Sequence, residues 1–280
     1  MRILVTGADG QLGREIVQRL DGKAGYELTA MDIDKLDITS SYKVFDTIEA
    51  LRPHVVINCA AYTKVDACEE NVDLAYRINA IGPQNLAAAT FDIGAKLVHI
   101  STDYVFDGTS KVPLKEDAKT NPINVYGASK KLGEEMVRSL NPRHFIFRTA
   151  WLYGDGKNFV RTMLSLGQKG DTIRVVNDQI GSPTSTVDLS NCIIEMMHTN
   201  SYGTYHATCQ GSCSWYDFAK EIFRLKGMNV EVVPITTEEL GSIANRPGYS
   251  VLDNFMLRLI DKDIFRNWQD ALYEYIREDK

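Results

Sequence analysis

Short apolar runs and amphipathic stretches alternate along the first half of this chain. Residues 3–6 form an apolar run that stops at a glycine. Residues 26–31, 55–58, 96–100 and 144–148 are similar runs of strand length. Between them, 11–20, 41–51, 74–91 and 126–140 repeat apolar positions at the spacing of a helix face. A strand with one wet face alternates apolar and polar residues. These runs are mostly continuous, so both faces of their sheet are covered. The β-α-β order predicts a parallel sheet with helices on either side.

Beyond Trp151 the pattern is less regular. Helices are predicted over 159–166, 187–197, 215–226 and 262–277, and strands over 172–176, 203–207 and 230–233. We divide the chain accordingly. Residues 1–150 form a Rossmann-type, doubly wound α/β domain that binds NAD(P). Residues 151–280 form mainly a smaller C-terminal substrate-binding lobe, with some segments returning to the main sheet. Ligands of open α/β sheets sit beyond the carboxyl ends of the strands. The loops after the first, third, fourth and fifth strands are therefore where chemistry is sought.

Charge narrows the picture more than composition does. The 280 residues, 44% of them hydrophobic, suffice for one large domain with a sizeable core. A net charge of −6 argues against an extended nucleic-acid surface, which takes clustered Lys and Arg. It leaves room for a small anion pocket. No stretch is apolar for long enough to span a membrane. The apolar N-terminus breaks at Gly7, too soon for a secretory leader. Cys59, Cys68, Cys192, Cys209 and Cys213 are odd in number and scattered, which predicts free thiols in a reducing cytoplasm. His206 near Cys209 and Cys213 falls short of a zinc site, which takes four ligands at tighter spacing.

Gly7, Gly10 and Gly13 fall between the first strand and the first helix. Glycine there allows a tight turn and lets backbone approach a pyrophosphate, while the helix N-terminus offers N–H donors. Asp32 closes the second predicted strand, where a carboxylate accepts from the adenosine ribose of NAD. Asp37 is a second candidate for the adenine end.

Tyr126 and Lys130 stand at i, i+4 on one helix face. An ammonium beside a phenol lowers its pKa, so that the phenol can protonate a carbonyl oxygen as hydride arrives at carbon. The spacing alone is not specific, because Tyr153/Lys157 and Tyr216/Lys220 share it. Tyr153 sits in a glycine-rich loop, and Tyr216 on a helix of the later lobe. Tyr126 alone opens a helix just before the fifth strand. Thr102, in the Ser101-Thr102-Asp103 turn after the fourth strand, can bond the same oxygen.

The glycine loop, the run from Ser101 to Gly108, Tyr126-Gly127-Ala128-Ser129-Lys130 and Arg148 to Gly154 together resemble the extended short-chain dehydrogenase/reductases. Asp178 to Thr184 and Arg246-Pro247 point to the dTDP-4-dehydrorhamnose reductase branch, nearly end to end. The resemblance implies NADH- or NADPH-dependent reduction of the 4-keto group of dTDP-4-dehydro-L-rhamnose, the last step toward dTDP-L-rhamnose, a precursor of cell-surface polysaccharide. It implies Thr102, Tyr126 and Lys130 as the catalytic trio. It assigns cofactor contacts to Gln11 and Leu12 beside Gly10, to Asp37-Ile38 and to Ala61-Tyr62-Thr63. Thr102, Asp103, Tyr104 and Trp151 match sugar-nucleotide contacts. Trp151 has an aromatic face for a sugar or base, and Asn158, Gln179 and Arg246 are polar or cationic partners for thymine and diphosphate. Some relatives hold Mg²⁺ through glutamates at a homodimer interface. Glu15 matches one such position, and the tail from Arg277 to Lys280 supplies no clear second, which leaves magnesium and the dimer open.

Two other readings compete. An epimerase or dehydratase on the same fold is one, but a dehydratase wants Asp-Glu after the threonine, and here Asp103-Tyr104 follows. A non-catalytic regulatory subunit, like that of methionine adenosyltransferase, is the other. Intact Tyr126 and Lys130 favour an enzyme.

Overall fold

The protein is described by a computed structural model, over residues 1–170 and 172–278. Asp279 and Lys280 of the tail lie outside the described residues. Six strands form one parallel sheet: β1 (Arg2–Thr6), β2 (Glu27–Met31), β3 (Val55–Asn58), β4 (Lys96–Thr102), β5 (His144–Thr149) and β6 (Gly203–His206). Their spatial order is β6-β5-β4-β3-β1-β2. β6 comes from the later half, so that half contributes an edge of the main sheet.

The continuous apolar runs are explained by two cores. Ile3, Val5, Val55, Ile57, Phe145 and Phe147 face one side of the sheet and pack with residues of α1 (Gln11–Leu20) and, from the later half, α8 (Thr186–Met196) and α12 (Trp268–Glu278). Leu4, Val56, Leu97 and Ile146 face the other side. They meet α2 (Ser41–Leu51), α5 (Gly82–Asp92) and α6 (Val125–Leu140). Alternate residues of one strand thus enter opposite cores, each fully buried side chain contributing about 1.5–3 kcal/mol.

The helix predicted over 74–91 is longer and interrupted. It begins as α4 (Val72–Tyr76), passes through a π turn at Arg77–Ile81 and continues as α5. Pro83 has no N–H for the carbonyl of Asn79 four residues back. That carbonyl faces α6 instead, so closely that a Cβ on Gly133 would lie 2.1 Å from it.

The helix predicted over 262–277 is corrected: α12 starts at Trp268. Asp261 turns the chain with φ 55°, and Asn267 bridges to Gln210 instead of joining a helix. A short helix, α11 (Phe255–Leu259), precedes it. α3 (Val65–Glu70) and α10 (Thr237–Leu240) are too short to leave a periodic signal. α7 (Phe159–Gly167) and α9 (Trp215–Lys226) lie where predicted. Ile173–Val176 pairs with Val232–Ile235, two residues beyond the strand predicted at 230–233.

Candidate active site

Two adjoining cavities run along the carboxyl edge of the sheet, about 410 and 360 Å³ in volume, and share Gly10, Cys59 and Ala61. A larger concavity, about 650 Å³, lies between residues 112–115, 208–212 and 251–263. It holds none of the predicted catalytic groups, and we do not assign the chemistry to it.

The glycine loop separates the two cavities. Gly7 has φ 64°, and a Cβ on Gly13 would fall 2.2 Å from the carbonyl oxygen of Gly7. Helix α1 therefore starts hard against the loop. No side chain caps its N-terminus, and its first turn carries no acid. Gln11 Oε1 and Thr149 Oγ1 line the larger cavity, buried and without a protein partner. Free N–H donors and unpaired polar atoms beside a glycine cradle fit a dinucleotide pyrophosphate. Leu12, Ala61 and Thr63 line the same cavity. Asp32, Asp37 and Ile38 line the smaller one. Asp32 accepts N–H bonds from Asp9 (2.9 Å) and Ile33 (2.7 Å), and Asp37 accepts from the backbone and hydroxyl of Thr39. Tyr62 lines neither cavity. Its N–H and carbonyl both bond the buried Asn79 side chain, fixing the loop that bears Ala61 and Thr63.

Thr102, Tyr126 and Lys130 meet in the larger cavity. Thr102 ends β4. Asn124 caps α6 by accepting from Gly127 N at 2.7 Å, which sets where Tyr126 and Lys130 project. Lys130 Nζ donates to the Ile100 carbonyl at 2.5 Å. Burial pushes the Lys130 ammonium down to about 8, with Glu134 and Cys59 opposing the shift. Burial pushes the Tyr126 phenol above its ordinary value, and a hydrogen bond with Thr102 pulls it back in part. The lowered phenol pKa expected from the Tyr–Lys spacing is thus not seen: desolvation is the largest cause, and the charge of Asp103 raises the phenol further. A phenol so placed keeps its proton at neutral pH, the form a proton donor needs.

The two rival pairs serve packing. Tyr153 is 1% exposed while Lys157 points to solvent. Lys220 Nζ sits 5.2 Å over its own Tyr216 ring.

The whole chain, residues 1–280, matches the family described as RmlD substrate binding domain. The chain belongs to the RmlD substrate binding domain family. It is similar to a dTDP-4-dehydrorhamnose reductase from Clostridium acetobutylicum (56% identity, TM-score 0.97, 99% of each chain). It is similar also to one from Bacillus anthracis in complex with NADP (47%, TM-score 0.97, 99% of each). The spore coat polysaccharide biosynthesis protein SpsK of Bacillus subtilis is 44% identical over 99% of this chain and 97% of its own.

Within this RmlD-family chain the remaining site candidates divide. Asp103 is buried beside the trio, and burial raises its carboxyl to about 6 against hydrogen bonds from Ser250 and Thr102. Tyr104 sets its ring edge-on to Tyr126, 5.7 Å between centroids. Trp151 lines the larger cavity and stacks on Trp215 at 3.5 Å.

Three candidates are engaged elsewhere. Asn158 is the cap of α7: its amide oxygen accepts from Arg161 N and its NH₂ donates to the Gly154 carbonyl, and it lines neither cavity. Gln179 donates to Thr237 Oγ1 at the start of α10 and lines neither cavity. Arg246 is paired at 2.8 Å with Asp66 of α3 and reaches the Tyr104 hydroxyl at 3.5 Å. Its Nε is buried and has no protein partner. Glu15 pairs with Arg19 at 2.6 Å, and among the described residues no cluster of three His, Cys, Asp or Glu is arranged to hold a metal.

Sequence reasoning passed over Cys59, Ser101 and Asp66. Cys59 and Ser101 lie at the carboxyl ends of β3 and β4, where chemistry is sought, and that position was the available signal. Among the described residues no helix is long and apolar enough to cross a membrane.

Proposed function

We propose that this chain reduces the 4-keto group of dTDP-4-dehydro-L-rhamnose to give dTDP-L-rhamnose, using NADH or NADPH. The observation that carries this reading is one cavity shared by the glycine loop and by Thr102, Tyr126 and Lys130, in a chain of this family. The names of the similar proteins from Clostridium acetobutylicum and Bacillus anthracis support the substrate, and the NADP complex of the latter supports the cofactor.

Gly10, Gln11, Leu12 and Gly13 would hold the pyrophosphate, and Asp32 the adenosine ribose. The reduced nicotinamide, when bound, supplies hydride to the carbonyl carbon. Tyr126 gives its phenolic proton to the carbonyl oxygen, so that no free alkoxide forms. The Thr102 hydroxyl, which donates to Asp103 Oδ1 in this structure, would turn to donate to the same oxygen and fix its direction. The Lys130 ammonium stabilises the phenolate left behind. Trp151 and Asp103 flank the sugar. The five cysteines are free thiols, in keeping with the reducing cytoplasm we propose as its place.

The test is incubation with NADH or NADPH and the keto-sugar nucleotide, following cofactor oxidation and isolating the product. No oxidation with either cofactor overturns the reading.

A further inference from the structure

Helix α6 carries Tyr126, Lys130 and Glu134 at successive i, i+4 positions, and the last has no part in the chemistry above. Its carboxylate is completely buried. Oε1 accepts from Ser101 Oγ (2.6 Å) and Arg148 Nε (2.9 Å); Oε2 accepts from Arg148 Nη2 (2.8 Å) and Arg138 Nη1 (3.1 Å). Ser101 stands between Ile100, whose carbonyl takes the Lys130 ammonium, and Thr102. Two turns of one helix thus grip consecutive residues of β4, and the next residue is catalytic. Arg148 holds the register partner position to Ser101 on β5.

We propose that Glu134 is a positioning residue for the reducing trio, fixing the Thr102 end of β4 against α6 and supplying a fixed, buried negative charge one helical turn from Lys130. This rests on the proposed reduction. A buried ion pair is weak evidence for stability alone, because well-packed apolar residues often serve as well. Here the pair also bonds a strand end whose next side chain must be placed to a fraction of an ångström. Arg148 and Arg138 hold the Glu134 carboxyl below its ordinary range although burial pushes it up, so it stays charged. Around Lys130 the other titratable groups are Tyr126 one turn back on α6, the Cys59 thiol and His99 of β4, and beyond Arg148 stands His206 of β6. Burial pushes Cys59 up and both histidines down, so all three are neutral near pH 7. Glu134 is the anion that opposes desolvation of Lys130.

The test uses the full chain with ¹³Cε-labelled lysine, titrated by NMR, the Lys130 resonance being assigned by its loss in Lys130→Arg. In Glu134→Gln its midpoint falls by about one unit, the low end of what loss of a nearby opposite charge gives. Glu134→Asp, which keeps the charge, restores it. An unchanged midpoint in a folded Glu134→Gln overturns the proposal, whether or not the keto-sugar is turned over. Ser101→Ala keeps every charge and serves if Glu134→Gln does not fold. Its kcat falls about tenfold with KM for the sugar nucleotide within twofold, and its Lys130 midpoint stays. Wild-type kcat in Ser101→Ala overturns the clamp. If the wild type itself fails to reduce the keto-sugar, the functional reading fails, and the NMR midpoints still decide the charge role.

Discussion

Replacing Tyr126 by Phe removes one hydroxyl and little else. The ring keeps its edge-on contact with Tyr104, and the cap of α6 at Asn124 is untouched. The hydrogen bond with Thr102 is lost, which costs about 0.5–1.5 kcal/mol, and the desolvation of the phenol is relieved in return. Folding stability should therefore change by less than about 1 kcal/mol. Catalysis loses its proton donor. General acid catalysis contributes about 10²–10⁴-fold, or about 3–5 kcal/mol of barrier. Thr102 remains within reach of the carbonyl oxygen, but its hydroxyl already donates to Asp103 Oδ1 at 3.0 Å. It is a poor substitute, and we expect kcat to fall at least a hundredfold. The assay follows NADH oxidation with saturating keto-sugar nucleotide, alongside NADH affinity by fluorescence and the melting temperature. Near-wild-type turnover in a folded variant that binds NADH would refute the assignment. A loss of activity that tracks a loss of stability would recast Tyr126 as structural.

Four further outcomes follow from the same geometry. Tyr153→Phe should raise the melting temperature, because it removes a buried hydroxyl that has no partner, a group whose burial costs about 1–3 kcal/mol; a fall in melting temperature contradicts this. Gly13→Ala should weaken NADH binding at least tenfold and cost about 1–3 kcal/mol of stability, since its Cβ meets only backbone, whereas Gly10→Ala, with 3.3 Å to its nearest neighbour, should be milder in urea titrations. Asp32→Ala should shift kcat/KM toward NADPH, because it removes from the cavity a carboxylate that accepts from a free ribose 2′-hydroxyl and repels a 2′-phosphate; an unchanged cofactor ratio removes Asp32 from the ribose contact. Turnover should hold steady below pH about 8 and fall above it, because a lysine lowered to that value carries its charge only on the acid side; a rate that stays level through pH 9, roughly ten times past that midpoint, would exclude Lys130 charge from the mechanism.

The sheet and the trio were legible because their signals are local. An apolar run stopping at glycine, a helical period and an i, i+4 pair each occupy a few neighbouring residues, and β1 to β5 fell within a residue or two of their predicted limits. The choice among three Tyr–Lys pairs was also readable, since only one opens a helix beside a strand end. The sign of the Tyr126 shift was not. Spacing gives the ammonium but not the depth of burial, and burial decides. The capping role of Asn158 also had a local signal. An Asn immediately before an apolar helical pattern reads as a cap, and its oxygen takes the Arg161 N–H.

Arg246 shows what sequence cannot carry. A lone arginine in a loop reads as a cation suited to phosphate, and what it meets depends on what the fold lays against it. Here α3, from the first half, brings Asp66, whose carboxylate takes both the Arg246 guanidinium and the Ala244 N–H. Asn124, the cap of the catalytic helix, donates to the Asn245 carbonyl in the same loop at 2.7 Å. The loop is thereby tied to the start of the catalytic helix, and the tie spans more than a hundred residues of chain. It exists because the halves interleave: β6 completes the sheet beside β5, and α8 covers the face that α1 covers. Once the later half is anchored to the sheet in this way, its loops are delivered to the mouth of the cleft. A polar residue there finds its partner on whichever element arrives opposite. Pattern and propensity specify the sheet one segment at a time, while the rim of the site is specified only by their assembly.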